Sequence, residues 1–156
     1  IFVDADTLIS AELLRQALDN LSDNCCGGGV RVEFDEVERR SVRAGLAFWN
    51  GVSRRLRWAA GCFVYTRREG FEAVGGFSEQ VYASEEIWFS RALRRWGKRQ
   101  QLDFCIIDEY PAISSGRKLE WFSTWQQVSL LLMCLLLPFF VRFKKLCGFW
   151  YTRPKE

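Results

Sequence analysis

The 156-residue chain contains no histidine. That absence removes Ser-His and Cys-His nucleophile pairs and every histidine-ligated metal. A general base must then be a carboxylate, Lys, Tyr or Cys, and a metal must be held by oxygen or thiolate. No Cys-x-x-Cys spacing occurs among Cys25, Cys26, Cys62, Cys105, Cys134 and Cys147, so structural zinc is not expected. Cys62, Cys105 and Cys134 lie in apolar stretches and read as small buried hydrophobes in a reducing, cytosolic compartment. Strong net charge is missing too. The 22 Lys and Arg against 19 Asp and Glu leave +3, which gives no argument for nucleic acid. The opening residues do not read as a signal peptide, and no repeat or low-complexity segment is visible.

What is present suffices for about one domain, with 49% hydrophobic residues to fill a core. Ile1 to Val3 reads as the end of a strand buried on both faces. Ser10 to Leu21 reads as a helix capped by Ser10, with Leu14, Ala17, Leu18 and Leu21 on one face. Cys25 to Gly29 reads as a turn, and Val30 to Phe34 as a strand. Glu38 to Trp58 has helical spacing at Val42, Leu46, Trp49 and Leu56, weakened by Gly45 and Gly51. Gly61 to Tyr65 reads as a buried strand, and Arg67 to Val74 as a short helix ended by Gly75-Gly76. Glu85 to Trp96 is the clearest helix, with Ser84 as its cap and Gly97 at its end. Leu102 to Ile107 closes the pattern as a strand. Alternation of strands and helices over this length argues for an α/β fold.

From Val128 to Val141 nearly every residue is apolar, followed by Arg142, Lys144 and Lys145 and then by Phe149, Trp150 and Tyr151. The run is shorter than the roughly 20 residues of a membrane span. Its basic flank and aromatic end fit a helix lying at a membrane surface, while a helix packed on the domain remains open.

Chemistry concentrates at two places. Asp4 and Asp6 follow an apolar strand, and residues two apart on a strand share a side. Two carboxylates side by side call for a cation, and oxygen ligands suit Mg²⁺ or Mn²⁺ completed by a substrate diphosphate. The plainer alternative is a strand exit and turn. Glu85 and Glu86 start the second feature, YASEEIWFSRALRRWG, whose apolar stripe is Phe89, Ala92, Leu93 and Trp96, with Arg91, Arg94 and Arg95 pointing away. Their spacing from Phe89 places both acids on the inward side, where one serves as a general base. Simple helix-dipole capping is the alternative.

An apolar strand with D-x-D also occurs in phosphatases of the haloacid dehalogenase type. Those want Thr or Val two places after the second Asp, where this chain has Leu8. The order VDAD, the triple glycine, GCFVYTRREGFEAVGGFSE and then the acidic pair with SRALRRWG instead resembles the second half of a family 2 glycosyltransferase, over Ile1 to Lys118. The resemblance implies a partial GT-A (Rossmann-like) mixed sheet with flanking helices at 1–118, plus a hydrophobic, amphipathic helical tail at 119–156. It implies metal-dependent inverting transfer of a sugar from a nucleotide-sugar donor to an acceptor hydroxyl. Asp6 and Asp4 would hold the divalent metal and the donor, Gly75 and Gly76 would run close to the sugar, and Glu86, seconded by Glu85, would be the base. Arg117 and Lys118 in SSGRKLEW match a late segment that could approach phosphate.

The chain departs from the family at Ser78 and Glu86, where many members carry Asp. The family's nucleotide-binding first half has no counterpart in the sequence. The start on a strand without Met therefore reads as a fragment, expected to be inactive alone and to leave a sheet edge uncovered. Work at the cytoplasmic membrane face, on a lipid-linked or polysaccharide acceptor, is the matching expectation. The alternative function is a non-catalytic membrane-surface or interaction module. There Arg39, Arg40, Arg43, Arg54, Arg55 and Arg57, interleaved with Phe48, Trp49 and Trp58, would meet anionic lipid.

Overall fold

Among the described residues, five strands and four helices follow one another as β1 (Phe2–Val3), β2 (Thr7–Leu8), α1 (Ala11–Ser22), β3 (Cys25–Phe34), α2 (Arg40–Leu56), β4 (Phe63–Thr66), α3 (Arg68–Val74), α4 (Glu85–Arg99) and β5 (Asp103–Ser114). The structure is a computed structural model that describes residues 1–35, 37, 39–78 and 84–116. The expectations for 119–156 and for Arg117 and Lys118 lie outside the described residues. Among those described, no helix is long and apolar enough to cross a membrane.

The strands form one mixed sheet in the order β1-β4-β3-β5-β2, with β3 and β5 parallel and the other pairs antiparallel. The two outermost strands are joined by only Asp4, Ala5 and Asp6. Four Cα steps reach about 15 Å, whereas a flat sheet of five strands is roughly 19 Å across. The sheet must therefore curl, and the short acidic turn bridges its two ends.

Alternate side chains feed two cores, one on each face. Cys25, Phe63 and Tyr65 pack with Leu13 and Ala17 of α1 and with Leu46 and Trp49 of α2. Cys26 and Val64 pack with Phe71 of α3 and with Phe89 and Leu93 of α4. The α/β expectation is met, as are the short α3 with its glycine end and the burial of β4.

Several local expectations are corrected. The triple glycine is no turn but the middle of β3. A Cβ on Gly28 would lie 1.8 Å from the Cys105 carbonyl oxygen, so glycine here permits close strand approach instead of chain reversal. Gly97 does not end α4 but lies inside it, because a Cβ there would come within 2.6 Å of the Cys26 sulfur under the helix. Ser84 makes no side-chain cap bond and holds a left-handed φ of 58°. Ser10 does cap α1, accepting from the Leu13 N–H at 3.1 Å.

The buried side of α1 is Leu13 and Ala17, while Leu14 and Leu18 are exposed. Asn20 donates to the Tyr65 hydroxyl at 2.9 Å, which turns a partly polar side of the helix onto the sheet. Ile1, Phe2 and Val3 are all exposed, because β1 is an edge strand paired only with β4 among the described residues. Cys25 and Cys26 join Cys62 as buried thiols, and Cys105 is half-buried.

β5 runs well past Ile107, across a register break in which Val32 follows Val30 while Ala112 follows Ile107 on the partner. Asn50 of α2 repairs the ladder there. Its amide accepts from the Val32 N–H at 3.1 Å and donates to the Val32 carbonyl at 2.9 Å.

These contacts separate two glycine substitutions. Gly28→Ala is expected to destabilise by about 3 kcal/mol or more, because its Cβ has no room. Gly45→Ala, with nothing within 4 Å of its Cβ, is expected to stabilise α2 by about 0.5–1 kcal/mol. Urea unfolding of both variants checks the pair, and equal effects would contradict this reading of β3.

Candidate functional site

The path of the first acids is set by β1. After Val3 pairs with Phe63, the Asp4 N–H donates to the Cys62 carbonyl at 3.1 Å and ends the antiparallel ladder. The chain then reverses, with the Thr7 N–H donating to the Asp4 carbonyl at 3.0 Å. Asp4 and Asp6 thus sit in a four-residue turn, not along a strand, and strand alternation does not set their directions. Both are exposed at the seam of the curled sheet.

Glu86 reaches the same place from the first turn of α4. The Ser90 hydroxyl donates to the Glu86 carbonyl at 2.7 Å and accepts from the Ala59 N–H at 2.9 Å. This buried serine ties the start of α4 to the segment that leads into β4. The Glu86 carboxyl then lies over Gly61, 3.6 Å from where a Cβ would be. Burial pushes it up to about 7, and the charges of Glu85 and Asp4 push the same way against a hydrogen bond from its own backbone N–H. Glu86 is half-buried and Glu85 exposed, so the expectation that both acids face inward holds for Glu86 alone.

Cys62 lies among these acids. Burial raises its thiol to about 12, with Asp4, Glu86 and Asp6 adding to the rise. It stays a neutral thiol and is neither a nucleophile nor a thiolate ligand at neutral pH. Asp4, Asp6 and Glu86 thus share one neighbourhood, though three strands and three helices separate the aspartates from α4 in sequence.

Among the described residues no three Asp, Glu, Cys or His side chains converge as a metal cage. What Asp4 and Asp6 offer is two carboxylates on one exposed turn. Hard oxygen donors of that number fit a Mg²⁺ or Mn²⁺ that keeps water and takes phosphate oxygens from a substrate.

Gly75 and Gly76 hold φ values of 80° and 71°, a left-handed pair that turns the chain back after α3. The turn delivers Phe77 onto Phe2 and Phe89, with ring centroids 5.0 and 4.7 Å apart. The glycines thereby set the position of Phe77 among these rings.

Ser90 and Gly61 were not legible as site residues. A serine four places after Glu86 inside an apolar stripe was the available signal for the first, and Gly61 gave none. The fold and the clustered acids define an α/β protein with a carboxylate site at the seam of its sheet. The chain matches no protein-family model, no curated protein and no solved structure.

The folded protein holds the Glu86 proton more tightly than the unfolded chain. Glu86 therefore contributes stability that is complete below about pH 4.5 and lost as pH rises through about 7. Glu86→Gln removes that loss. Relative to wild type it is expected to gain up to about 3 kcal/mol on going from pH 5 to pH 8, measured by urea unfolding. A difference independent of pH would contradict the shift.

Proposed function

We propose that this chain supplies the acceptor side of a nucleotide-sugar-dependent glycosyltransferase, with Glu86 as its general base. The observation that carries the proposal is the meeting of Glu86 with Asp4 beside Gly61 and Cys62, with the Glu86 carboxyl raised to about 7. A base with that value is partly ionised at neutral pH and still basic enough to take a proton, the condition under which proton transfer is most effective.

In this reading the acceptor hydroxyl binds over Gly61, where no side chain screens the carboxyl. Glu86 takes the hydroxyl proton as the acceptor oxygen bonds to the anomeric carbon of the donor. The bond from that carbon to the diphosphate breaks, and the diphosphate leaves with the electron pair. Cys62 contributes a neutral wall, and Ser90 fixes the helix turn from which Glu86 projects. A divalent metal held by Asp6 and Asp4 would supply positive charge to the departing diphosphate. One direct displacement with one base corresponds to inversion at the anomeric carbon.

A second reading has its own observation. On α2, Phe48 is 53% exposed and lines a shallow groove of about 420 Å³ with Val52, Arg55 and Leu56. Apolar groups beside a guanidinium suit an anionic membrane surface. Sedimentation with anionic vesicles, lost on Phe48→Ser, would support it as an accompaniment to catalysis or as a replacement for it.

Release of nucleoside diphosphate from a panel of nucleotide sugars, followed with Mn²⁺ in the full-length protein, tests the main proposal. Glu86→Gln is expected to lower kcat by about 10²–10⁴-fold with little change in KM, and Asp6→Ala to abolish the dependence on Mn²⁺. Turnover unaffected by Glu86→Gln, or no release from any donor, would contradict it.

A further inference from the structure

The far end of α4 carries a feature that the acid site does not use. Arg91, Arg94, Arg95 and Lys98 recur at the spacing that places side chains on one side of a helix. Together with Arg57 they line a groove of about 600 Å³, whose apolar lining is Leu102 and Phe104. At 1.5 Å per residue, Lys98 lies about 18 Å along α4 from Glu86.

The groove is built from three elements. Arg57 caps the C-terminus of α2 with a φ of 53°, a left-handed conformation that side-chain-bearing residues rarely hold. Its guanidinium pairs with Asp103 at the start of β5, 2.8 Å away. The Arg94 guanidinium donates to the Leu56 carbonyl at the end of α2. Arg91 lies over the Trp88 ring, 5.9 Å from its centre. Burial, with the charges of Arg57 and Arg91 beside it, holds Arg94 below the ordinary guanidinium value. Arg94 thus lies close enough to Arg57 and Arg91 to be repelled by both.

That repulsion is not answered within the described residues. Five cations line the groove, and the carboxylate among them, Asp103, is paired with Arg57. The helix dipole favours Lys98, which lies in the last turn, but its influence falls off within that turn and leaves Arg91 and Arg94 unexplained. A helix side that repels itself is stabilised by an external anion. Guanidinium forks match phosphate oxygens in pairs, which a single carboxylate cannot satisfy here.

We propose that this groove, formed by α4, the end of α2 and the start of β5, is a binding site for a clustered phosphate anion. The shared chemistry is two or more phosphate charges presented together, either on a soluble polyphosphate or at a phosphomonoester lipid surface.

The test titrates tripolyphosphate into the full chain by calorimetry at low salt. In parallel, the chain is sedimented with phosphatidylcholine vesicles with and without phosphatidic acid. Binding is expected in at least one arm, to weaken with added salt, and to fall about tenfold or more in Arg91→Gln/Arg95→Gln. Both arginines are exposed, so α4 is expected to keep its helicity by circular dichroism, and Lys98→Gln provides an independent variant. Tripolyphosphate binding assigns a soluble ligand. Binding to phosphatidic acid vesicles alone assigns the lipid headgroup. No binding in either arm, or unchanged affinity in both variants, overturns the proposal.

Discussion

Four phenylalanine rings hold the two halves of the acid site together. Phe2 stacks on Phe71 at 5.2 Å and meets Phe77 edge-on at 5.0 Å. Phe89 packs on Phe77 at 4.7 Å and on Phe71 at 5.7 Å. Phe2 stands two residues before Asp4, and Phe89 three residues after Glu86. The rings therefore connect the strand that ends in the acidic turn to the helix that begins with the acids. Such pairs contribute about 0.5–1.5 kcal/mol each beyond the area they bury. Phe77 reaches the cluster only because Gly75 and Gly76 hold left-handed conformations.

Around that cluster the remaining constraints fall into order. The three-residue link between β1 and β2 forces the sheet to curl and puts Asp4 and Asp6 at the seam. Ser90 fixes α4 against Ala59, and Gly61 leaves the Glu86 carboxyl open on one side. Burial then makes Glu86 a weaker acid than an exposed glutamate, while Cys62 stays protonated among the carboxylates. The same helix carries acids at one end and the arginine-lined groove at the other. The proposed catalytic and phosphate-binding roles are thus separated along α4 but share its packing on the sheet.

Much of this was legible in the sequence, and the gaps have physical causes. Helices α2 and α4 follow from apolar periodicity, the end of α3 from Gly75-Gly76, and the Ser10 cap of α1 from residue type. The triple glycine misled because glycine serves turns and close strand contacts equally, and only the position of the Cys105 carbonyl distinguishes them. Gly97 misled for the same reason, its demand coming from the Cys26 sulfur beneath the helix. The two-residue β1 is too short to declare its exposure, which depends on its place at the edge of the sheet. At the site, the acids were visible as residue types, but their approach is a tertiary fact. The inward direction of Glu86 could be read from its distance to Phe89, whereas its tether through Ser90 to Ala59 could not.

The central claim is that the charge of Asp4 reaches Glu86 and helps to raise its carboxyl. The direct measurement is a ¹³C NMR titration of the Glu86 side-chain carboxyl in wild type and in Asp4→Asn. The account predicts a wild-type midpoint of about 7 that moves down when the Asp4 charge is removed. A wild-type midpoint near 4.5, or one that does not move in Asp4→Asn, would contradict it.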